Sequence, residues 1–265
     1  MKLTHETGRG GDYNKDYELE KYCIKVFDDY LRVLNKVKDN ISPFFQDKII
    51  VEYGPGDFLG VPLLFLCHGA KRVYCIDRFP LASEKKYLNL YNKMLLNHNN
   101  SYAGRKTWDD IINKDIIYIW AKDGVFLVPE KADIIVSRAV LEHCNSLEKT
   151  FKNMHQNLKS RGIMIHKVDL TSHGTHLRVP LDFLCHSPLT WYLMTSQKGY
   201  PNRWRRNKYK EILDYYSFKI LYEESLNEFL QEELKSIKSE LTCCFCDLPD
   251  EELLCSDYFF VAEKA

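Results

Sequence analysis

The sequence predicts an α/β fold in which helices cover both faces of a mostly parallel β-sheet. Short apolar runs alternate along the chain with longer segments whose apolar residues recur at helical spacing. A glycine loop, Gly54-Pro55-Gly56, lies between the first apolar run and a helical segment. Parallel strands need a long crossover, usually a helix, so this alternation is typical of a parallel sheet. With 265 residues, 45% of them hydrophobic, the chain can bury the core that such a sheet requires.

The elements follow in order from the spacing of apolar residues. A long amphipathic helix is predicted from Asp16 to about Lys38, and Pro43 prevents its continuation. Strands are predicted at 48–53, 72–76, 116–120, 132–136, 162–168, 217–222 and 257–262. Helices are predicted at 61–67, 84–96, 147–158, 208–216 and 226–241.

The glycine loop is the strongest functional signal. The segment 51–57 follows a strand and precedes a helix, which is the context that a nucleotide-binding loop requires. Gly54 and Gly56 permit backbone angles and a close approach that a Cβ atom would block. Asp77 follows about twenty residues later, at the end of the second strand, where an acid accepts ribose hydroxyls.

The same loop argues against a dinucleotide. Gly60 comes one position too late for the third glycine of a GxGxxG motif, and Asp57 would place negative charge beside the pyrophosphate. S-adenosylmethionine has no phosphate, and its amino and sulfonium groups are cationic. The acidic side chains of Glu52 and Asp57 therefore suit S-adenosylmethionine better than they suit a dinucleotide.

These residues resemble the class I S-adenosylmethionine-dependent methyltransferases. VEYGPG resembles the first motif of that family, and Ile76-Asp77 resembles the acid that follows it. The segments 132–137 and 140–143 resemble the fourth strand and the loop after it, and 161–164 resembles the fifth strand. Ser160-Arg161-Gly162 stands where the family usually has Pro-Gly-Gly. The resemblance covers most of 48–168, and 253–264 resembles the final antiparallel strand, which implies a Rossmann-like sheet.

The resemblance also implies a cofactor site and a division of the chain. The cofactor contacts that we predict are Glu52, Gly54, Gly56, Asp77, Asp123, Gly124 and Arg138. Trp120 either stacks on the adenine or belongs to the core. We predict an N-terminal arm and helix over 1–45, a cofactor-binding core over 46–168, an insertion over 169–207 and the rest of the sheet over 208–265. The insertion is irregular and aromatic, and we expect it to cover the substrate.

Histidines cluster at the predicted end of the fifth strand, beyond which ligands bind in open α/β sheets. A hydroxyl acceptor must lose a proton, and histidine is the natural base near neutral pH. We predict His173 as the base, oriented by Asp169 or Glu142, with His143 as the second candidate. His166 and His176 are predicted to contact the substrate, although histidines in loops also cap turns.

The identity of the acceptor follows from a narrower resemblance. The pattern DLxxH, then FLxxSPLxW, then PNRxR is similar to methyltransferases that modify bacterial surface polysaccharides and sugars. It implies a sugar or nucleotide-linked sugar, with Arg203 and Arg205 near a diphosphate. The alternatives are a solvated basic patch at these arginines, an N- or O-methyltransferase of another small metabolite, and a binding module without activity.

Composition excludes several classes of function. Lys plus Arg and Asp plus Glu number 37 each, which argues against a nucleic-acid-binding protein. No apolar run spans a bilayer, and 1–13 lacks the apolar region of a signal peptide. We therefore expect a cytoplasmic enzyme, and its assembly as a homodimer stays open.

No metal is predicted from the sequence. Asp169, His173 and His143 include metal-ligand types, but the paired acids of metal-dependent sugar methyltransferases are missing. The nine cysteines read as reduced thiols, because Cys243, Cys244, Cys246 and Cys255 lack the paired spacing of a zinc site.

Overall fold

The computed structural model describes residues 16–38, 44–82, 86–98, 107–195 and 201–265. These residues form one seven-stranded sheet in the order β3-β2-β1-β4-β5-β7-β6. The strands β1 to β7 are Ile49–Tyr53, Arg72–Asp77, Ile116–Trp120, Ala132–Arg138, Leu158–Asp169, Phe218–Leu226 and Asp257–Lys264. Pairing is parallel from β3 to β5, and β7 is antiparallel to both β5 and β6. The predicted fold class is confirmed.

Helices cover both faces of the sheet. The helices α1 to α9 are Asp16–Leu34, Gly60–Cys67, Leu88–His98, Trp108–Ile111, Leu147–Asn157, Pro188–Thr195, Arg206–Tyr215, Gln231–Ile237 and Asp250–Leu253. Short 3₁₀ turns occupy Leu141–His143, Asp182–Cys185 and Lys238–Glu240. None of the helices in the described part of the chain has both the length and the apolarity to cross a membrane. The predicted N-terminal arm before Asp16 lies outside the described residues.

Two apolar layers sandwich the sheet. The first contains α1, α2 and α3 with alternate strand residues such as Ile50 and Val136, and the second contains α5 and α7 with Val51 and Ile135. Successive side chains of a strand point to opposite faces, so a fully apolar strand supplies both layers. Gly60 allows α1 and α2 to approach, because a Cβ atom there would lie 2.7 Å from the Cys23 sulfur. The late glycine of the loop is therefore a packing residue.

The insertion and the C-terminal segment differ from the prediction. The predicted irregular stretch contains α6 and the turn Asp182–Cys185, and the predicted long helix over 226–241 is reduced to α8 and a 3₁₀ turn. Residues of both segments, among them Phe183, Trp191 and Leu234, form a third apolar cluster beside the sheet. Their burial comes from this mutual packing between distant segments, which periodicity within either segment does not reveal.

His166 lies in the core of the sheet, which contradicts its predicted contact with the substrate. Its side chain is 0% exposed, and its Nδ1 lies 2.7 Å from the Ser137 hydroxyl. Its ring also packs 5.3 Å from the ring of Phe260, measured between centroids. Alternation along β5 turns this side chain into the second apolar layer, away from the ends of the strands. Burial lowers the pKa of His166 to about 3 from the usual 6.5.

This buried histidine makes stability depend on pH. In the unfolded chain His166 takes a proton near its ordinary pKa of 6.5, whereas in the folded chain it stays neutral down to about 3. The free energy of unfolding should therefore decrease as the pH is lowered, by about 3 kcal/mol from His166 alone between about pH 7 and pH 4. In a His166→Gln variant, the free energy of unfolding measured with denaturant should decrease by about 3 kcal/mol less over this pH range than in the wild type. Replacement of the exposed His176 by Gln is the control, and equal losses in both variants would contradict the prediction.

Candidate active site

A cleft opens at the carboxyl ends of the parallel strands. It is lined by Tyr22, Tyr53, Gly54, Gly56, Ile76, Asp77, Arg78, Phe79, Leu81, Gly124, Arg138, Ala139, Val140, His143, Cys144, Asp169 and His173. The predicted glycine loop, the acid of the second strand and the histidine cluster therefore meet in one place. Carboxyl ends of neighbouring parallel strands lie at the same edge of a sheet, which explains this convergence.

The loop after β1 forms the floor of the cleft. Gly54 and Gly56 have φ angles of +66° and +78°, in the left-handed region that favours glycine. A Cβ atom on Gly54 would lie 2.4 Å from a methyl carbon of Val140, so the loop after β4 packs directly on this glycine. The two glycines thus let two neighbouring loops approach each other at the bottom of the cleft.

Asp77 ends β2 and faces this floor. One carboxylate oxygen accepts the Gly56 amide at 3.2 Å, and the other accepts the Phe79 amide at 2.9 Å. A carboxylate oxygen has two acceptor positions, so each retains one for a ligand in the cleft. The side chain is only 5% exposed, and burial raises its pKa above the usual value, although the backbone amides oppose this. The two backbone bonds fix the orientation of the carboxylate.

Other predicted cofactor contacts are placed differently. Gly124 and Arg138 line the cleft, and Arg138 donates to Asp29 at 2.6 Å, whereas Asp123 is exposed outside the lining. Glu52 lies in the first apolar layer, where its charge, after burial itself, raises the pKa values of Tyr30 and Cys75. The geometry therefore does not support direct contacts from Glu52 or Asp123.

The position of Trp120 decides whether this residue belongs to the core. It is 60% exposed at the edge of the sheet, and its Nε1 donates to the carbonyl of Arg78. It is therefore not a core residue. β3 is the edge strand of the sheet and pairs with only one neighbouring strand, β2.

The opposite wall of the cleft carries the predicted catalytic residues. The rings of His143 and His173 meet edge to face, with centroids 4.9 Å apart. The Nε2 atom of His173 lies 3.8 Å from a carboxylate oxygen of Asp169. His173 has a φ angle of +53°, which is uncommon outside glycine. Two potential proton acceptors therefore stand beside each other at the cleft.

Glu142 stands behind these histidines. It is 2% exposed and belongs to the same 3₁₀ turn as His143. Burial, together with the nearby charge of Asp169, raises the pKa of Glu142 well above its usual value. Nitrogen and oxygen atoms of Glu142, His143 and His173 lie within 4.8 Å of one another.

Two residues that the sequence reasoning missed hold the turn Leu141–His143. Arg78 donates to the carbonyl of His143 at 3.0 Å and to Asn145. The backbone amide of Asn202 donates to the carbonyl of Glu142 at 2.7 Å, and its side-chain amide donates to the carbonyl of Leu141. Arg78 directly follows Asp77, so its position beside the cleft was available from the sequence, but its partners were not.

Arg203 and Arg205 are largely buried but also line a second cavity beside the cleft, and their predicted contact with a diphosphate stays a prediction. Arg205 is 1% exposed and donates to the carbonyls of Leu170, Glu252, Leu253 and Cys255. Arg203 is 8% exposed and donates to the carbonyls of Phe183 and His186. A guanidinium has five donors, so it can satisfy several buried carbonyls at once. Burial lowers the pKa of Arg205 to about 10, which leaves it charged near neutral pH.

The last sequence candidates lie outside the cleft. His176 is exposed, and its Nδ1 lies 3.1 Å from the hydroxyl of Ser172, so the structure gives no substrate contact for it. All nine cysteines are free thiols. Cys243, Cys244 and Cys246 are exposed, whereas Cys255 is buried, which separates it from the other three.

Solved structures with the same fold are methyltransferases. The chain is similar to a candidate methyltransferase from Bacillus halodurans C-125, with 11% identity, a TM-score of 0.51 and coverage of 89% of this chain and 99% of that one. It is similar to a candidate sarcosine dimethylglycine methyltransferase from Galdieria sulphuraria, with 13% identity, a TM-score of 0.51 and coverage of 91% and 84%. It is also similar to a phosphoethanolamine N-methyltransferase from Haemonchus contortus that contains S-adenosylhomocysteine, with 15% identity, a TM-score of 0.50 and coverage of 89% and 52%. At these identities the likeness shows the fold alone.

A family model decides the identification. The model of the methyltransferase domain matches residues 25–223, which is most of the chain. The chain belongs to the methyltransferase domain family. The predictions of an enzyme, of methyl transfer and of S-adenosylmethionine as the methyl donor are confirmed. No curated protein matches this methyltransferase.

The cleft of this methyltransferase fits its methyl donor. Asp77 offers two oriented acceptor positions, which match the paired hydroxyls of a ribose. Ile76, Phe79, Leu81 and Val140 provide apolar lining for the adenine and the methionine chain. The glycine loop leaves room for a close approach of the ligand to the backbone.

Proposed function

We propose that this methyltransferase transfers a methyl group to a hydroxyl of a sugar, including nucleotide-linked sugars that serve surface-polysaccharide synthesis. The observation that carries the proposal is the composition of one cleft. Asp77 and the glycine loop form one side of it, and His143, Asp169 and His173 form the other. A donor held by the first group would present its methyl carbon toward the second group.

His173 and Asp169 explain how a hydroxyl could become a nucleophile in this cleft. When bound, S-adenosylmethionine supplies an electrophilic methyl group on a sulfonium sulfur. The acceptor oxygen forms a bond to the methyl carbon while the carbon–sulfur bond breaks and leaves its electron pair on sulfur. His173 takes the hydroxyl proton, and the Asp169 carboxylate at 3.8 Å stabilises the imidazolium that results. Both groups lie on the cleft, and correct positioning of the reactants contributes much of the rate enhancement.

An extended acceptor has room beside the cleft. Cys144 lines both the cleft and a second cavity, whose polar lining includes Asn145, Asn207 and Lys208. Lys208 is half exposed and pairs with Glu211, so it is available to exchange partners with an anion. We assign the part of the acceptor beyond the methylated sugar to this second cavity, which Arg203 and Arg205 also line.

A screen with labelled S-adenosylmethionine tests the proposal. The panel should contain nucleotide sugars, free sugars, and amines of similar size. We expect label on a sugar hydroxyl, with a higher kcat/KM for nucleotide sugars than for the matching free sugars. Transfer to the amines alone would refute O-methylation, and equal kcat/KM values for both kinds of sugar would refute the role of the second cavity.

A further inference from the structure

The carboxyl group of Glu142 is buried without a side-chain partner. The side chain is 2% exposed, neither of its oxygens has a hydrogen bond of normal geometry with the described residues, and the groups that interact with it are the backbone amides of Glu142 and Asp169. Burying an unpaired carboxylate costs several kcal/mol, so such a group normally has a cation or a donor beside it. The backbone of the turn around it is fixed by Asn202, which prevents the side chain from escaping to solvent. A cation beside this group would supply the partner that a buried acid normally has.

Two imidazoles lie beside this carboxylate. His143 is the next residue in the same 3₁₀ turn, and His173 comes from the loop after β5. Each of the three side chains has a ligand atom within 4.8 Å of the other two. The Nε2 of His173 also lacks a hydrogen-bond partner among the described residues. Three metal-ligand types therefore converge, and two of them line the cleft.

We propose that Glu142, His143 and His173 form a binding site for a divalent transition-metal cation. Two imidazoles and one carboxylate suit ions such as Mn²⁺, Zn²⁺ or Co²⁺ better than Mg²⁺, which prefers oxygen ligands. Ligand atoms about 2.1 Å from one ion lie about 3 to 3.5 Å apart, so the cluster must contract by at most roughly 1.8 Å. Rotation of the two imidazole rings supplies this movement.

The proposed metal site would take part in the proposed O-methyl transfer, and its catalytic role rests on that proposed function. Three protein ligands leave positions open for an acceptor hydroxyl on the side of the cleft. A cation lowers the pKa of a hydroxyl bound to it. With His173 occupied as a ligand, the proton passes to the Asp169 carboxylate, the acceptor oxygen bonds to the methyl carbon, and the carbon–sulfur electron pair stays on sulfur. His173 would then be a metal ligand in place of the base.

Metal binding can be measured without cofactor or acceptor. The full chain, freed of metal by a chelator, would be titrated with Mn²⁺ by calorimetry and with Co²⁺ by visible absorption. We expect one site, with the d–d absorption of Co²⁺ bound to nitrogen and oxygen. Glu142→Gln should weaken the affinity at least ~100-fold, because it removes a charged ligand. The matched control is Glu148→Gln, which changes an exposed glutamate on α5 and should leave the affinity unchanged.

The outcomes separate the metal site from the proposed reaction. His173→Ala removes a second proposed ligand, from a partly exposed loop, and should also abolish the single site. This variant keeps the test decisive if Glu142→Gln disturbs folding. Absence of a site in the folded wild-type chain, or wild-type affinity in both variants, would overturn the inference. Full methyl transfer by chelator-treated enzyme would overturn the catalytic role of the metal. Metal binding without transfer to any hydroxyl would instead refute the proposed acceptor and leave the site intact.

Discussion

Replacing Asp77 by alanine should raise the dissociation constant of S-adenosylmethionine by about 100-fold or more. The carboxylate is buried and oriented by the amides of Gly56 and Phe79, so its remaining acceptor positions are fixed toward the ribose. Each hydrogen bond to a charged acceptor contributes about 1.5 kcal/mol or more, and two such bonds correspond to roughly 100-fold. Calorimetric titration with S-adenosylmethionine measures the effect directly.

Two further variants sharpen this test. Asp77→Asn keeps the size of the side chain and one acceptor oxygen, and should weaken binding less than Asp77→Ala. Asp109→Ala removes an exposed acid on α4, which precedes β3 at the opposite end of the strands, and should leave the affinity unchanged. Wild-type affinity in Asp77→Ala would show that the donor is held elsewhere, and would remove the basis for orienting it in the cleft.

Replacing His173 by alanine should lower kcat about 100-fold or more and leave the affinity for S-adenosylmethionine within about 2-fold. The ring of His173 lies on the proposed acceptor side of the cleft, beside Asp169 and His143, and not beside the carboxylate of Asp77 that we predict to bind the ribose. Steady-state kinetics with the best acceptor, combined with donor titration, separates the two quantities.

His155→Ala is the control for this variant. His155 lies on α5, where its ring packs near Tyr216 and Phe218 on the far side from the cleft. It should retain the kcat of the wild type. If His173→Ala also retained it, proton removal would pass to His143 or Asp169, and neither the base nor the catalytic metal ligand proposed for His173 would stand. A loss of kcat agrees with both roles, which the metal titration then distinguishes.

Local patterns explain why much of the fold was predictable. Apolar runs such as that of β1 can be buried on both faces only inside a parallel sheet, and each is followed by a segment of helical spacing. Gly54, Gly56 and Asp77 were predictable because backbone angles and position at a strand end depend on a few neighbouring residues. The convergence of Asp77 with His143 and His173 followed from the common edge of parallel strands.

The surroundings of the buried polar residues could not be predicted, for a different reason. Arg203 and Arg205 have the composition of an anion site, but their surroundings are carbonyl groups from segments distant in sequence. His166 lies in a strand, where successive side chains alternate between two faces, and the packing of the layers decides which face is buried. Hydrogen-bond partners of a buried side chain are set by tertiary contacts, and a single sequence does not encode them locally.

By itself, the sequence determined the sheet, its crossover helices, the glycine loop and the acid that follows it, because these features arise from periodicity and backbone conformation within short segments. The tertiary structure alone decided which polar side chains reach the cleft. It buried Arg205 among carbonyls, turned His166 into the core and placed the buried Glu142 beside two histidines. The reason is physical: a buried polar group is defined by what surrounds it, and those surroundings come from residues far apart in the chain.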